Sequence, residues 1–277
     1  MTAPSDAREP CLLVADSFRV RKAGSAESDA AEAGTTKAGA AEDDTVAQVR
    51  GFSLHLERFT AAVTTVHREE GLPAPEQELA LFIADARRRI AEYGEGNPRL
   101  ELWGTASRGT PAFEFRLSLR PLPELKSEIA LRTAGSVALE HPERKGANIP
   151  RFSELNQRLG AEAVLTDARG DVVEGATTAL IWWEGARGFV AESRRRVPSV
   201  AERLTRGIAE RLGTRIEPGT VSPTGLAARE VWAVNALHGI RPVTSVDGIH
   251  PPPRDEARLA RFREAFDETW EAVLDRA

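Results

Sequence analysis

The stretch GDVVEGATTALIWW, residues 170–183, sets one carboxylate, Glu174, in a run that otherwise reads as buried strand. Val172 and Val173 precede it, Gly175, Ala176, Thr177 and Thr178 after it are small, and Ala179 to Trp183 are apolar. Burying an ionised carboxylate costs several kcal/mol unless a cation or hydrogen-bond donors meet it. The fold around this strand must therefore either leave Glu174 in water or build it a partner.

The chain is large enough for such a site. With 277 residues, 41% of them hydrophobic and 29% charged, it is long enough for one large or two modest domains with a real core. No run approaches the roughly 18 consecutive apolar residues of a membrane helix, and MTAPSDAREP has no basic-then-apolar leader pattern. Cys11 is the only cysteine, which excludes an intrachain disulfide and a thiolate zinc site. A net charge of −5 without a basic stripe argues against nucleic acid. The expectation is a soluble, cytoplasmic protein with no metal and no nucleic-acid or membrane partner. Only four of its 37 basic residues are lysines, at 22, 37, 126 and 145, so each lysine can be considered individually.

Residues 23–48 are built from Ala, Gly, Glu, Asp, Ser and Thr with almost nothing to bury, and they read as a disordered insertion. Strand-like LLVADSFRVR and VRGFSLHL flank it, as two neighbouring strands whose turn has been lengthened. Ser53 is a plausible N-cap for a helix with Leu56, Phe59, Ala62, Val63 and Val66 on one face, and PEQELALFIADARRRIAEYG is a second helix. RLELWGTA and AFEFRLSLRPLP read as paired strands. The prolines at 121 and 123 place a boundary between a small α/β domain, 1–122, and a larger β-rich domain, 123–277. In the latter, strands are expected at 127–133, 161–166, 172–174, 178–183, 187–192, 214–218, 229–234 and 240–246. Helices are expected at 150–159, from Pro198 to about Leu212, and from 254 to 275. Without regular βαβ alternation, the class is α+β.

Several short motifs occur in a set order: HLERF at 55–59, Lys145, D-x-x-G-x-V-x-E-G ending at Gly175, PSV at 198–200, and NAL at 235–237 followed by PV. From about Phe18 to Gly248 this order resembles the class IV aminotransferases, the fold type IV pyridoxal-phosphate enzymes. These include branched-chain and D-amino-acid aminotransferases and 4-amino-4-deoxychorismate lyase. The resemblance implies the two-domain fold of that group, pyridoxal 5'-phosphate as cofactor, an amino- or keto-acid substrate (or one like aminodeoxychorismate) and a homodimer. It makes Lys145 the amine that forms the Schiff base and carries protons. It makes Glu174 the carboxylate that keeps the pyridine nitrogen protonated, and Gly175 to Thr178, with Thr177 and Thr178 among the cofactor contacts, a thin wall beside the ring. Arg58, three residues after His55, holds the phosphate together with the helix-start amides at Ser199, Val200 and Ala201. Asn235 and Ala236 lie by the phosphate and substrate, and Arg108 and His238 are candidate substrate contacts.

The resemblance leaves transamination and lyase chemistry both open, with NAL nearer to the lyase branch. It also admits a non-catalytic relative that has lost the cofactor. The departures that go with that alternative are a lead-in shorter than the family's, Pro150 where aminotransferases often place a Tyr, and an interval of only 29 residues from Lys145 to Glu174. Deleting residues 23–48 is expected to leave cofactor uptake intact, as measured by absorbance titration of the purified deletion variant.

Overall fold

The structure, a computed structural model, describes residues 9–23, 46–107 and 110–274. Most of the expected insertion, 24–45, lies outside the described residues, as does Arg108. The ends of the insertion do not behave as loop. Ala23 N–H donates to Val46 O at 2.8 Å, and Ala47 and Gln48 are strand residues. The two flanking strands do pair: β2 (Val20–Lys22) is antiparallel to β3 (Ala47–Arg50), while β1 (Cys11–Ser17) goes to another sheet.

In the first half, α1 (Phe52–Glu69) and α2 (Glu76–Tyr93) pack on an antiparallel sheet in the order β1, β4 (Arg99–Ser107), β5 (Thr110–Ser118). The helical period of Phe52, His55, Phe59, Val63 and Val66 turns one face of α1 inward, against Leu100 and Leu102 from alternate positions of β4. Each such fully buried large side chain contributes roughly 1.5–3 kcal/mol. Ser53 does not cap this helix. The N-cap is Gly51, whose positive φ of 59° suits glycine. Ser53 instead donates its N–H (2.7 Å) and its hydroxyl (3.2 Å) to the carboxylate of Glu271. Glu271 belongs to β14 (Trp270–Ala272), which pairs with β3. The expected C-terminal helix therefore stops early, as α6 (Glu256–Asp267), and the chain returns as a strand to the first half.

Leu119 to Glu128 form neither helix nor strand. Beyond them come β6 (Ile129–Gly135), α3 (Ile149–Leu159), β7 (Glu162–Thr166), β8 (Val172–Gly175), β9 (Ala179–Glu184), β10 (Arg187–Ala191), α4 (Val200–Arg211), β11 (Ile216–Gly219), α5 (Pro223–Ala227), β12 (Glu230–Asn235) and β13 (Gly239–Val246). The amino-acid pattern carries no sign of the five-residue α5. The eight strands form one curled sheet in the order β11-β10-β9-β12-β13-β6-β7-β8. β9 is apolar from Ala179 to Trp183 because both its faces are covered. Ile181 and Trp183 pack toward α4 and α6, and Leu180 and Trp182 toward α5. The architecture is the mixed, strand-dominated α+β class. Among the described residues no helix is long and apolar enough to cross a membrane.

Two local devices position the future site. The turn Gly175–Thr178, closed by Gly175 N–H to Thr178 O at 2.9 Å, carries the chain from edge strand β8 to central β9. Lys145 sits in an irregular segment that is tied to β1: Ala15 N–H donates to Lys145 O at 2.8 Å, and Gly146 bridges to Val14. A methyl group on Gly146 would stand 2.4 Å from Leu13 O, so only glycine allows this backbone approach. Gly146→Ala is expected to cost about 1–3 kcal/mol of stability by forcing these backbones apart, read from urea unfolding at fixed pH.

Candidate active site

A cavity of about 300 Å³ is bounded by residues of both halves of the chain. Arg58, Lys145, Glu174, Thr177 and Thr178 line it, and so do Val200, Ala201, Asn235, Ala236 and His238. Every expected site residue that is described thus borders one space. A wider, more open groove of about 990 Å³ adjoins it along α1 and α4 and shares Arg58 and Lys145. The smaller cavity alone holds Glu174 and the 175–178 turn, and there the chemistry converges.

At one end, Asp16 at the close of β1 is buried. It accepts from Arg58 Nε and Nη2, each at 2.8 Å, and from His55 Nδ1 at 2.7 Å. Burial works to raise the Asp16 pKa, but the Arg58 charge and then His55 overcome it, and the carboxyl sits well below the usual range. Since Asp16 is an ionised acceptor, His55 presents its Nδ1–H to it. Burial meanwhile holds the His55 pKa down against the pull of Asp16, so the ring is neutral. Arg58 also donates Nη1 to Pro198 O at 2.9 Å. This fastens β1 and α1 to the approach to α4. Pro198 lies before the helix rather than in its first turn. Ser199 is the N-cap, accepting from Glu202 N–H at 3.2 Å, which leaves the amides of the buried residues Val200 and Ala201 at the helix start beside the cavity.

The Lys145 amine donates to Ser17 Oγ at 2.9 Å. Burial, and then the Arg58 charge, bring its pKa down to about 8. Glu174 is only 6% exposed, and its Oε1 has no hydrogen-bond partner. Burial pushes its pKa up to about 8, against the pull of Arg196 and the Val197 N–H. Arg196 is itself engaged with Glu202, through Nη2 at 2.9 Å. A buried carboxylate oxygen without a donor, on a residue that lines a cavity, marks a place where a ligand donor belongs.

The thin wall is held from behind by Glu162. Its carboxylate accepts from Thr177 N–H (2.6 Å), the Thr177 hydroxyl (2.9 Å), the Thr178 hydroxyl (3.1 Å) and Asn156 Nδ2 (2.8 Å). Thr177 and Thr178 therefore border the cavity, but their hydroxyls are committed to Glu162. Asn235 Oδ1 accepts from Leu237 N–H (3.2 Å) and His238 N–H (2.8 Å), so this side chain folds its own turn. His238 Nδ1 accepts from Lys126 N–H at 3.2 Å, and burial brings the ring pKa down to about 4. The ring is neutral and its proton is on Nε2.

Sequence reasoning misses Asp16, Ser17, Glu162, Arg99, Arg120 and Arg144. Of these, Asp16 carries a usable signal, a lone carboxylate in the apolar run LLVADSF, the same kind that singles out Glu174. No group of three or more possible metal ligands occurs among the described residues.

The sequence profile of the amino-transferase class IV family matches residues 46–246. The chain belongs to this family. Its members are pyridoxal-phosphate enzymes, as the resemblance implies. No curated protein matches the chain. Among solved structures, the T.th. branched-chain amino acid aminotransferase with pyridoxamine 5'-phosphate superposes with a TM-score of 0.71 at 16% identity, over 94% of this chain and 89% of that one. The Escherichia coli branched-chain enzyme gives 0.69 at 16%, over 95% and 90%. A hypothetical aminotransferase from Mycobacterium tuberculosis, with alpha-ketoglutarate and PMP bound, gives 0.66 at 14%, over 92% and 88%. At these identities the likeness is one of fold.

Glu174 has a pH signature of its own. Its folded pKa of about 8 stands above the ordinary 4.5, so the folded chain keeps a proton that the unfolded chain releases. The stability conferred by that proton is whole below pH 4.5 and lost as the pH rises to about 8. The cofactor-free Glu174→Gln variant is therefore expected to match wild type near pH 4.5. Above pH 8 it should exceed wild type by on the order of 2–4 kcal/mol, read from urea unfolding of both proteins at the two pH values.

Proposed function

We propose that this chain is a pyridoxal-phosphate-dependent aminotransferase that exchanges an amine between an amino acid and a keto acid at the cavity between Arg58 and Glu174. The observation that carries this is the unpartnered Oε1 of buried Glu174 in the same cavity as a lysine of lowered pKa. The donor set fits the cofactor. Arg58 and the amides of Val200 and Ala201 offer a cation and a helix start to a phosphate. Ala201 has no hydroxyl to add, and Asn235 and Ala236 lie nearby. Gly175 has no side chain, and a methyl there would stand 2.3 Å from Thr178 Oγ1 and 2.9 Å from Glu162 Oε1, so glycine keeps the turn seated on Glu162. These matches favour a catalytic protein over a relative that has lost cofactor binding.

Bound there, pyridoxal phosphate supplies an electrophilic carbonyl for an amine and a protonated ring that takes up electrons released at the substrate Cα. The chain's own residues do the rest. Glu174 would hold the ring nitrogen with its unpartnered carboxylate, and pairing with a cation there would return its pKa toward the carboxylate range. With the cofactor held there, the Lys145 amine would be its covalent attachment point and, when neutral, the base that carries the substrate Cα proton. Ser17 orients its amine, and the Lys145 O to Ala15 N–H bond fixes its backbone. His238 Nε2–H is a donor for the substrate, and Arg108 is a second candidate contact on the resemblance alone. The NAL triplet favours a second outcome, elimination from an aminodeoxychorismate-type substrate by the same groups. We also propose a domain division at 122/123, a homodimer and a cytoplasmic location.

Purified protein given pyridoxal phosphate is expected to gain a visible absorption band that Lys145→Ala lacks. A colourless wild-type protein would overturn the proposal. Since the amine pKa is about 8 rather than 10.5, the neutral amine accumulates early. The rate of cofactor loading should climb about tenfold per pH unit below 8 and level off above it, as followed by stopped-flow absorbance. Keto-acid-dependent amine transfer, set against pyruvate release from aminodeoxychorismate, separates the two reactions.

A further inference from the structure

Glu174 keeps an oxygen without a partner although a guanidinium lies close enough to act on it. Burial is the largest influence on its carboxyl, and the Arg196 charge is the strongest influence against burial. No ion pair joins the two among the described residues, because Arg196 is held elsewhere. Its Nη1 donates to Glu202 Oε2 and its Nη2 to Glu202 Oε1 at 2.9 Å, a fork on a carboxylate. The pair is itself largely out of water, with side chains 14% and 7% exposed. Glu202 and Glu174 are the two carboxylates that act on Arg196, and Glu202 has taken both ends of the fork.

Local sequence builds this grip. Glu202 is the third residue of α4, and its N–H donates to Ser199 Oγ while its carboxylate reaches back to Arg196. Residues 196–199 are thereby clasped at both ends. Inside the clasp, the Val197 N–H acts on Glu174 in the same sense as the Arg196 charge, and Pro198 O accepts from Arg58. The clasp is also a partition. Arg196 and Glu202 line the wider groove, Glu174 lines the smaller cavity, and Val197, Ser199 and Val200 line both. We propose that Glu202 is a positioning residue that sequesters Arg196, so that Glu174 keeps an oxygen open for the cofactor ring instead of closing an ion pair within the chain. A guanidinium released beside a buried carboxylate would pair with it, and a ligand cation would then have to displace the arginine. The charged groups that face Glu174 are Arg196, Glu202 from α4, Glu162 from β7 and, on the same cavity, Lys145. Glu162 is committed to Asn156, Thr177 and Thr178, which leaves the Arg196–Glu202 pair to set the charge on that side.

The test reads Glu174 in the cofactor-free protein, by 13C NMR of labelled glutamate carboxyls, with its resonance assigned by its loss in Glu174→Gln. Glu202→Gln frees Arg196 and is expected to lower the titration midpoint of Glu174 by at least about one pH unit. Arg196→Gln is expected to raise it. The variant that combines both substitutions is expected to return it to within about half a pH unit of wild type, because neither charge remains. A pair that only holds the fold gives a different pattern: both single variants disturb Glu174 in one direction and the double variant disturbs it most. Should Glu202→Gln fail to fold, Glu202→Asp, with its carboxylate drawn back by one methylene, is expected to lower the midpoint by less. An unmoved midpoint on loss or retraction of the Glu202 carboxylate, or a double variant displaced further than either single one, overturns the proposal. The use assigned to the open oxygen rests on the proposed function, and the visible band separates the two. Midpoints that move as expected in a protein that gains no band with pyridoxal phosphate overturn the cofactor reading and leave the sequestration of Arg196 standing. A band with unmoved midpoints does the reverse.

Discussion

Asp16 is the pivot of the molecule. Three elements distant in sequence meet on its carboxylate or on the arginine that it holds: β1 supplies Asp16, α1 supplies His55 and Arg58, and the approach to α4 supplies Pro198 O. An isolated buried carboxylate would destabilise the fold by several kcal/mol, and an isolated buried arginine would do the same. Together, with a fork-to-carboxylate geometry and the imidazole on one oxygen, they are satisfied. The consequence reaches beyond stability. Arg58 is fixed in orientation by these bonds, a pre-aimed cation beside the first amides of α4 and not a mobile surface side chain.

Other charges around the cavity are left unbalanced. Lys145 and Glu174 both titrate near pH 8, the lysine far below and the glutamate far above their ordinary ranges, and burial is the largest cause in each case. Desolvation favours the neutral form of both, which is the form in which a lysine is nucleophilic and a carboxyl waits for a cation. Glu162 shows the contrast. It is equally buried, but four donors surround it, and it serves to hold a wall.

Much of this was legible in the amino-acid sequence, for identifiable reasons. β9 announces itself because both faces are buried and nearly every position is apolar. Lys145 stands out because lysine is scarce. Glu174 stands out because its neighbours are apolar and small. Asp16 has the same signature and goes unread, because a carboxylate at the end of a strand is ordinarily solvated, and only the fold brings Arg58 and His55 onto it. Arg99 and Arg120 are invisible for a different reason. In a chain whose basic residues are almost all arginine, nothing local separates a cavity arginine from a solvent-facing one. Ser53 misleads because its cap comes from elsewhere: the group at the start of α1 is a carboxylate from β14, and no local pattern could reveal it.

That last contact bears on how the protein is made. Ser53 and Glu271 are 218 residues apart, and the strand carrying Glu271 is held down by Trp270, which lies under the guanidiniums of Arg21 (4.0 Å) and Arg50 (4.1 Å). The helix that bears His55 and Arg58 leaves the ribosome early but waits for its carboxylate cap until β14 has been synthesised. At about 5–20 residues per second that interval is roughly ten to forty seconds. During this time the start of that helix lacks the Glu271 carboxylate, and the sheet that β14 joins is unfinished. Assembly of the site is thus a late event, coupled to completion of a strand that never touches it.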